Sequence, residues 1–213
     1  MINSTTRRTK GMVRWSLPFC LMVLFLPLLA SCSESEEEDE EYANWQSRNE
    51  AYFEQQYQAH SVQSETSFII PNWSQPSSLS LSDIAHTNCV LVDVLTKGKG
   101  TTCPQYTDSV AVHYVGHLMP TKSWPEGYEF DRSFLTELDP DVDVPSRLAL
   151  NGSIISGFST ALQHMHRGDF WRVYVPYNLG YGSTRSGVIL PYSTLVFDVY
   201  LVDFWSKEEG DRD

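Results

Sequence analysis

The chain has 213 residues, 41% hydrophobic and 13% aromatic, which allows one medium-sized domain with a buried core plus extensions and excludes two large domains. Its 27 acidic residues against 15 basic ones give a formal net charge of −12. That balance excludes a surface built to neutralise phosphates, so nucleic acid is not an expected partner.

The first 31 residues stand apart. Arg7, Arg8, Lys10 and Arg14 precede an almost continuous apolar run from Trp15 to Ala30, shorter than the ~20 residues of a membrane span and patterned as a secretory signal. The run ends in Leu29-Ala30-Ser31-Cys32, which resembles the lipobox of bacterial lipoproteins. That resemblance implies cleavage before Cys32 and diacylation of its thiol, two acyl chains holding a protein on a membrane where one is marginal. Residues 1–31 are thus read as a lipoprotein signal peptide and Cys32 as the lipidation site. Their removal takes away four basic residues and no acidic one, leaving 11 against 27, about −16. Residues 32–41 are dominated by Glu and Asp; such like charge cannot bury itself, so the segment reads as an acidic tether. An acidic stretch behind an acylated cysteine is also similar to the surface-export signal of Bacteroidetes lipoproteins. The expected location is the bacterial outer membrane, lipid-anchored, on its periplasmic face or at the cell surface.

Residues 42–85 read as a helix followed by a linker. Tyr42, Trp45, Tyr52, Phe53 and Tyr57 recur at helical spacing among Gln, Arg and Glu. Such an amphipathic helix over 42–60 either docks on its own domain or pairs with a second copy as a homodimer. Ser61 to His86, rich in Ser, Thr, Gln and Pro, suits an extended connection with one short strand at Phe68 to Ile70.

From Asn88 the pattern turns to period-two alternation, with Val90, Val92 and Val94 on one face and a Lys97-Gly98-Lys99-Gly100 turn behind them. Similar strand patterns recur at 110–116, 147–150, 170–175 and 194–204. Between them Phe158, Ala161, Leu162 and Met165 return at helical spacing, which predicts a short helix over 157–166 with Gly168 as its stop. About five antiparallel strands and one short helix make an α+β domain.

Five blocks then stand in a telling order: Val112-His113-Tyr114-Val115-Gly116, Phe130-Asp131, Ile154-Ile155-Ser156-Gly157-Phe158, Gly180-Tyr181-Gly182 and Pro191 to Val199. Over about residues 86–205 the chain resembles the FKBP-type peptidyl-prolyl cis-trans isomerases, with residues 206–213 left as an acidic tail. The resemblance implies a half-wrapped antiparallel sheet around the short helix and an apolar pocket between them. It assigns to the pocket Tyr114, Phe130, Asp131, Ile154, Ile155, Phe158, Tyr181, Ile189 and Phe197. Among these it gives Tyr114, Asp131, Ile155 and Tyr181 the catalytic positions: the backbone N–H of Ile155 and the hydroxyl of Tyr181 bond the carbonyls flanking the proline, and Asp131 holds the cleft by hydrogen bonding. Phe130, Ile154, Phe158, Ile189 and Phe197 bind the substrate.

Two departures from the family accompany the match. Phe158 stands where a tryptophan usually forms the pocket floor, and one pocket aromatic has Ser146 as its nearest counterpart. A longer link between Gly116 and Phe130 carries Trp124, which either touches substrate or covers the sheet edge.

The implied chemistry is rotation of X-Pro bonds in unfolded or peptide substrates, without cofactor or metal. The alternative is a non-catalytic peptide-binding or chaperone module on the same fold. His113, His117, His164 and His166 do not converge, two alternating on a strand and two at i, i+2 of a helix. Cys89 and Cys103 either pair as a disulfide around the Lys-Gly turn or remain two separate thiols.

Overall fold

The computed structural model describes residues 40–206 except Asp141 and Ser153. The segment expected to be a signal peptide, the expected lipidation site Cys32, most of the acidic tether and the tail beyond Ser206 lie outside the described residues.

Seven strands form one antiparallel sheet: β1 Ser67–Pro71, β2 Cys89–Thr96, β3 Ser109–Leu118, β4 Glu129–Arg132, β5 Ser146–Ala149, β6 Phe170–Val175 and β7 Leu195–Trp205. Their order is β1-β2-β6-β7-β3-β4, with β5 also on β3. β7 runs along all of β3 on one side, from Ser109↔Trp205 to Leu118↔Leu195. The other side of β3 is shared, β5 taking Ser109 to Val112 and β4 taking Val115 to His117. Five strands were expected, and β4 is an addition: four residues, Glu-Phe-Asp-Arg, hold a single apolar side chain and give no alternation to read. β1 is the other, since the short strand expected within the linker pairs with β2 over its whole length and becomes the sheet's edge.

Two helices cover opposite faces of the sheet. The inner face carries Val90 and Val92 of β2, Trp171, Val173 and Val175 of β6, and Leu195, Phe197, Val199 and Leu201 of β7. Against it lies α2, Ser156–Leu162, through Phe158, Ala161 and Leu162. The helix sits close because residue 157 is glycine: a Cβ there would fall 2.4 Å from Cγ1 of Val175 on β6. It ends sooner than the periodicity predicts, since after Leu162 the backbone tightens into i→i+3 bonds, His164 N–H to Ala161 O and Met165 N–H to Leu162 O.

On the outer face, α1 (Trp45–Ala59) places Phe53 and Tyr57 over Ile69, Leu91, Tyr174 and Val196. With both faces covered, the consecutive residues Val90, Leu91 and Val92 are all fully buried, which is why β2 begins as an apolar run and not as a strict alternation. Polar contacts fix α1 in register. The Trp45 indole donates to Ser193 Oγ at 2.9 Å, and the Thr194 N–H donates to Asn49 Oδ1 at 2.7 Å across 145 residues of sequence. The aromatic stripe of α1 thus packs on the sheet of its own chain.

Of the two alternatives for Cys89 and Cys103, the structure holds the separate thiols. Cys89 opens β2 opposite Pro71, whereas Cys103 lies near Asp169, next to the Phe170 that pairs with Thr96 at the strand's far end. Seven residue steps at ~3.3 Å each put those ends roughly 23 Å apart.

Candidate active site

A cavity of about 360 Å³ opens between α2 and the inner face of the sheet, lined by Tyr114, Phe130, Asp131, Leu148, Gly152, Ile154, Ile155, Phe158, Tyr181 and Phe197. Eight of the nine residues assigned to the pocket converge on it. Its floor is a cluster of rings centred on Phe197, with Phe158 tilted against it at 4.7 Å, Phe130 edge-on at 5.6 Å and Tyr114 edge-on at 6.4 Å between centroids. Edge-to-face packing of this kind sets each ring by its neighbours. Phe158 and Phe197 are buried, so their ring faces are held in a dry environment.

Backbone geometry makes room for the rings. Gly116 on β3 faces Asp131 of β4 and Phe197 of β7. A Cβ at this position would lie 2.6 Å from the Phe130 ring and 3.0 Å from that of Phe197. The glycine is thus the gap through which the Phe130 ring reaches the cavity.

The polar groups are few and placed at the walls. Tyr114 donates its hydroxyl to Asp131 Oδ2 at 2.7 Å, while its backbone is held by Ser133, whose Oγ accepts from Tyr114 N–H at 2.8 Å. Burial first, and then the hydrogen bond to the Asp131 carboxylate, push the Tyr114 phenol well above its ordinary range, so it stays a neutral donor. Asp131 in turn is fixed as the acceptor of that bond.

Two lining donors have no partner among the described residues and matter most for a ligand, the Ile155 N–H and the Tyr181 hydroxyl. Ile155 has an extended backbone (φ −59°, ψ 141°) immediately before the first turn of α2, and its carbonyl accepts from Ser159 N–H at 3.1 Å. Among the described residues its own N–H makes no hydrogen bond. The Tyr181 hydroxyl likewise has none, and the side chain is 40% exposed. Its loop is nonetheless fixed by Gly182 N–H to Tyr177 O and Tyr192 N–H to Gly182 O, both 2.8 Å. The pair of free donors stands at the mouth of an aromatic cavity, which suits a ligand presenting carbonyl oxygens around an apolar ring.

Ile189 is the assigned residue that does not line the cavity. It is 5% exposed, belongs to the hydrophobic core and bridges back to Ser186, so its contribution is to the support of the Tyr181 loop. The wall left open at Ser146 is supplied two residues on by Leu148, on the same face of β5 opposite Val110. Gly152 completes the rim. Leu148 lies on the inward face of a strand already recognised, but the alternation does not separate it from Ser146. Gly152 offers no side chain to read. Trp124 does not reach the cavity; it packs edge-on against Tyr128 at 5.1 Å in the loop that closes the end of β3. Among the described residues no group of three His, Cys, Asp or Glu side chains could hold a metal ion.

Comparison with known proteins assigns a family to part of the chain. The sequence model of FKBP-type peptidyl-prolyl cis-trans isomerases matches residues 100–202. This stretch is an FKBP-type peptidyl-prolyl cis-trans isomerase domain. The macrophage infectivity potentiator of Trypanosoma cruzi is 36% identical to the chain over 117 residues, which cover 54% of this chain and 53% of that protein. The FKBP-type 22 kDa peptidyl-prolyl cis-trans isomerase of Escherichia coli K12 is 36% identical over 111 residues, covering 52% of this chain and 47% of that protein. The crystal structure of FkpA from Escherichia coli superposes with a TM-score of 0.53 at 25% identity, covering 81% of this chain and 66% of that one. The chain spans about half the length of these two curated relatives. The match to the family begins after α1, β1 and β2, so the first two strands of the sheet and the helix on its outer face lie outside the matched residues.

Proposed function

We propose that the protein is a peptidyl-prolyl cis-trans isomerase that accelerates X-Pro rotation in exported or surface proteins. The observation that carries this reading is the pairing of an aromatic-floored cavity with two unpartnered donors, Ile155 N–H and Tyr181 OH. Rotation about an X-Pro amide breaks no bond; the barrier of ~18–20 kcal/mol is amide resonance. The planar amide is more dipolar than the twisted one, so transfer from water to the floor of Phe158, Phe197 and Phe130 raises the ground state relative to the transition state. The two donors hold the carbonyls on either side of the proline, and the Tyr114–Asp131 hydrogen bond keeps the opposite wall in place. A thousandfold acceleration asks about 4 kcal/mol of these effects together, against a spontaneous exchange of roughly tens to hundreds of seconds.

A second reading has one observation in its favour. Phe158 on the floor is a phenyl where the resemblance expects an indole, which leaves the cavity larger and without an N–H beneath the substrate. On that reading the domain binds proline-containing segments, as a chaperone does, and turns them over slowly. The rate of cis-to-trans exchange in short X-Pro peptides separates the two, since the isomerase raises it at substoichiometric concentration and the binding module only shifts the cis:trans ratio in proportion to protein bound.

We further infer attachment to the bacterial outer membrane through an acylated Cys32. The support is the apolar run ending in Leu29-Ala30-Ser31-Cys32 and the acidic stretch behind it. Among the described residues no helix is long and apolar enough to cross a membrane. Labelling with a radioactive fatty acid in a bacterial host tests this; incorporation lost in Cys32→Ser supports the anchor, and incorporation retained in that variant contradicts it.

A further inference from the structure

Beyond the cavity rim lies a second aromatic surface that the pocket does not use. Trp73 follows β1 and Tyr106 precedes β3, and their rings stand 4.5 Å apart at a tilt of 36°. Trp73 is 43% exposed and Tyr106 is half-buried. The pair is joined to the site at two points. The Tyr106 hydroxyl lies 3.7 Å from where a Cβ on Gly152 would stand, and Gly152 lines the cavity. The Trp73 N–H donates to Thr160 Oγ1 at 3.3 Å, and Asn72 Nδ2 donates to the same oxygen at 2.9 Å, so the segment is fastened to α2, whose preceding residues Ile154 and Ile155 line the cavity. Asn72 is buried and its Oδ1 accepts from both Ser74 N–H and Ser74 Oγ, which holds the turn carrying Trp73 in one conformation. An exposed indole on a fixed turn is a surface whose ordering is complete before a ligand arrives.

We propose that the Trp73–Tyr106 ledge is a second subsite of the substrate groove, taking a ring-bearing residue, proline or aromatic, that lies a few positions from the isomerised proline. The inference rests on the isomerase reading of the cavity and adds the class of substrate to it. Continuity with the cavity across Gly152 identifies the occupant as the same polypeptide, extended past the Ile155 side of the mouth. From Gly152 the ledge begins within one side chain's length and ends across the indole, which an extended chain at ~3.3 Å per residue covers in about two to four residues. Flat aromatic faces receive proline and aromatic rings without requiring a polar partner. The preferred substrates are therefore segments with two rings, the isomerised proline and a second at that spacing.

The test uses the purified protein and a set of X-Pro peptides differing in one residue, with Ala, Pro or Phe placed two, three or four positions before or after the isomerised proline. Both kcat/KM for isomerisation and Kd by calorimetry are measured. The ledge predicts a preference of roughly threefold to tenfold for the ringed peptide at one of these spacings, from the worth of an aromatic contact. It predicts that the ratio between ringed and Ala peptides falls to about one in Trp73→Ala and is largely kept in Trp73→Phe. A ratio near one at every spacing in the wild-type protein overturns the ledge while leaving the isomerase reading intact. A ratio that persists in Trp73→Ala overturns it equally. Absence of acceleration for every peptide sinks the isomerase reading instead, and the Kd ratios then still decide the ledge.

Discussion

Replacing Asn49 with alanine is expected to destabilise the protein by about 2–4 kcal/mol. Asn49 is fully buried on α1, donates through Nδ2 to Trp45 O at 2.8 Å and accepts from Thr194 N–H at 2.7 Å. Thr194 is itself buried, at the residue before β7 begins. The alanine variant removes both hydrogen bonds: loss of the one to Trp45 O costs about 1 kcal/mol, and loss of the other strands a buried backbone N–H at a cost of about 1–3 kcal/mol. That is a large fraction of the ~5–15 kcal/mol that holds a domain folded. Followed by tryptophan fluorescence in urea, at ~2 kcal/mol per molar for the slope, the midpoint should drop by roughly 1–2 M. Gln46→Ala on the exposed side of the same helix, where the side chain only meets Glu50 at 2.9 Å, should move it by no more than about 0.5 kcal/mol. Equal, small shifts in both variants would refute the docking of α1 on the head of β7.

Other perturbations follow from the same geometry. Gly116→Ala drives a methyl to within 2.6 Å of the Phe130 ring, so the ring must leave its wall; X-Pro peptide affinity by calorimetry should weaken roughly tenfold, about the worth of one such ring, and an unchanged Kd would contradict the role given to Phe130. His113 is buried on β3, neither ring nitrogen has a hydrogen-bond partner, and burial holds its pKa below the ordinary value while Asp143 pulls weakly the other way. A depressed folded pKa means stability that is complete above about 6.5 and is lost as the pH falls through the folded value. Urea unfolding at pH 7.5 and pH 5 should accordingly show the wild type losing more stability than His113→Leu; identical losses would place the imidazole in contact with solvent.

Much of this architecture was legible because inward positions repeat every second residue. Leu195, Phe197, Val199 and Leu201 of β7 stand on those repeats, as do Val110, Val112 and Tyr114 of β3. Where the rule failed, a named cause is visible. Ile189 carries the right residue type but turns into the core beneath the Tyr181 loop, because its backbone bridges to Ser186. Ser146 and Leu148 share a face, and alternation alone does not tell which of them reaches the cavity. The placement of Cys89 and Cys103 at opposite ends of β2 depends on the pairing of that strand with β1 and β6, which no spacing along the chain records. The Trp73–Tyr106 pair brings together residues 33 positions apart from two irregular segments, so neither segment alone pointed to it.

The most direct test of the central claim is the cis-to-trans rate of short X-Pro peptides with the wild-type protein, Tyr181→Phe, Asp131→Ala and Phe158→Trp. The account predicts clear acceleration by the wild type and a loss of roughly threefold to tenfold in each of the first two variants, the worth of about one hydrogen bond apiece. No acceleration by the wild type, with activity emerging in Phe158→Trp, would contradict it and leave a peptide-binding module whose floor residue withholds catalysis.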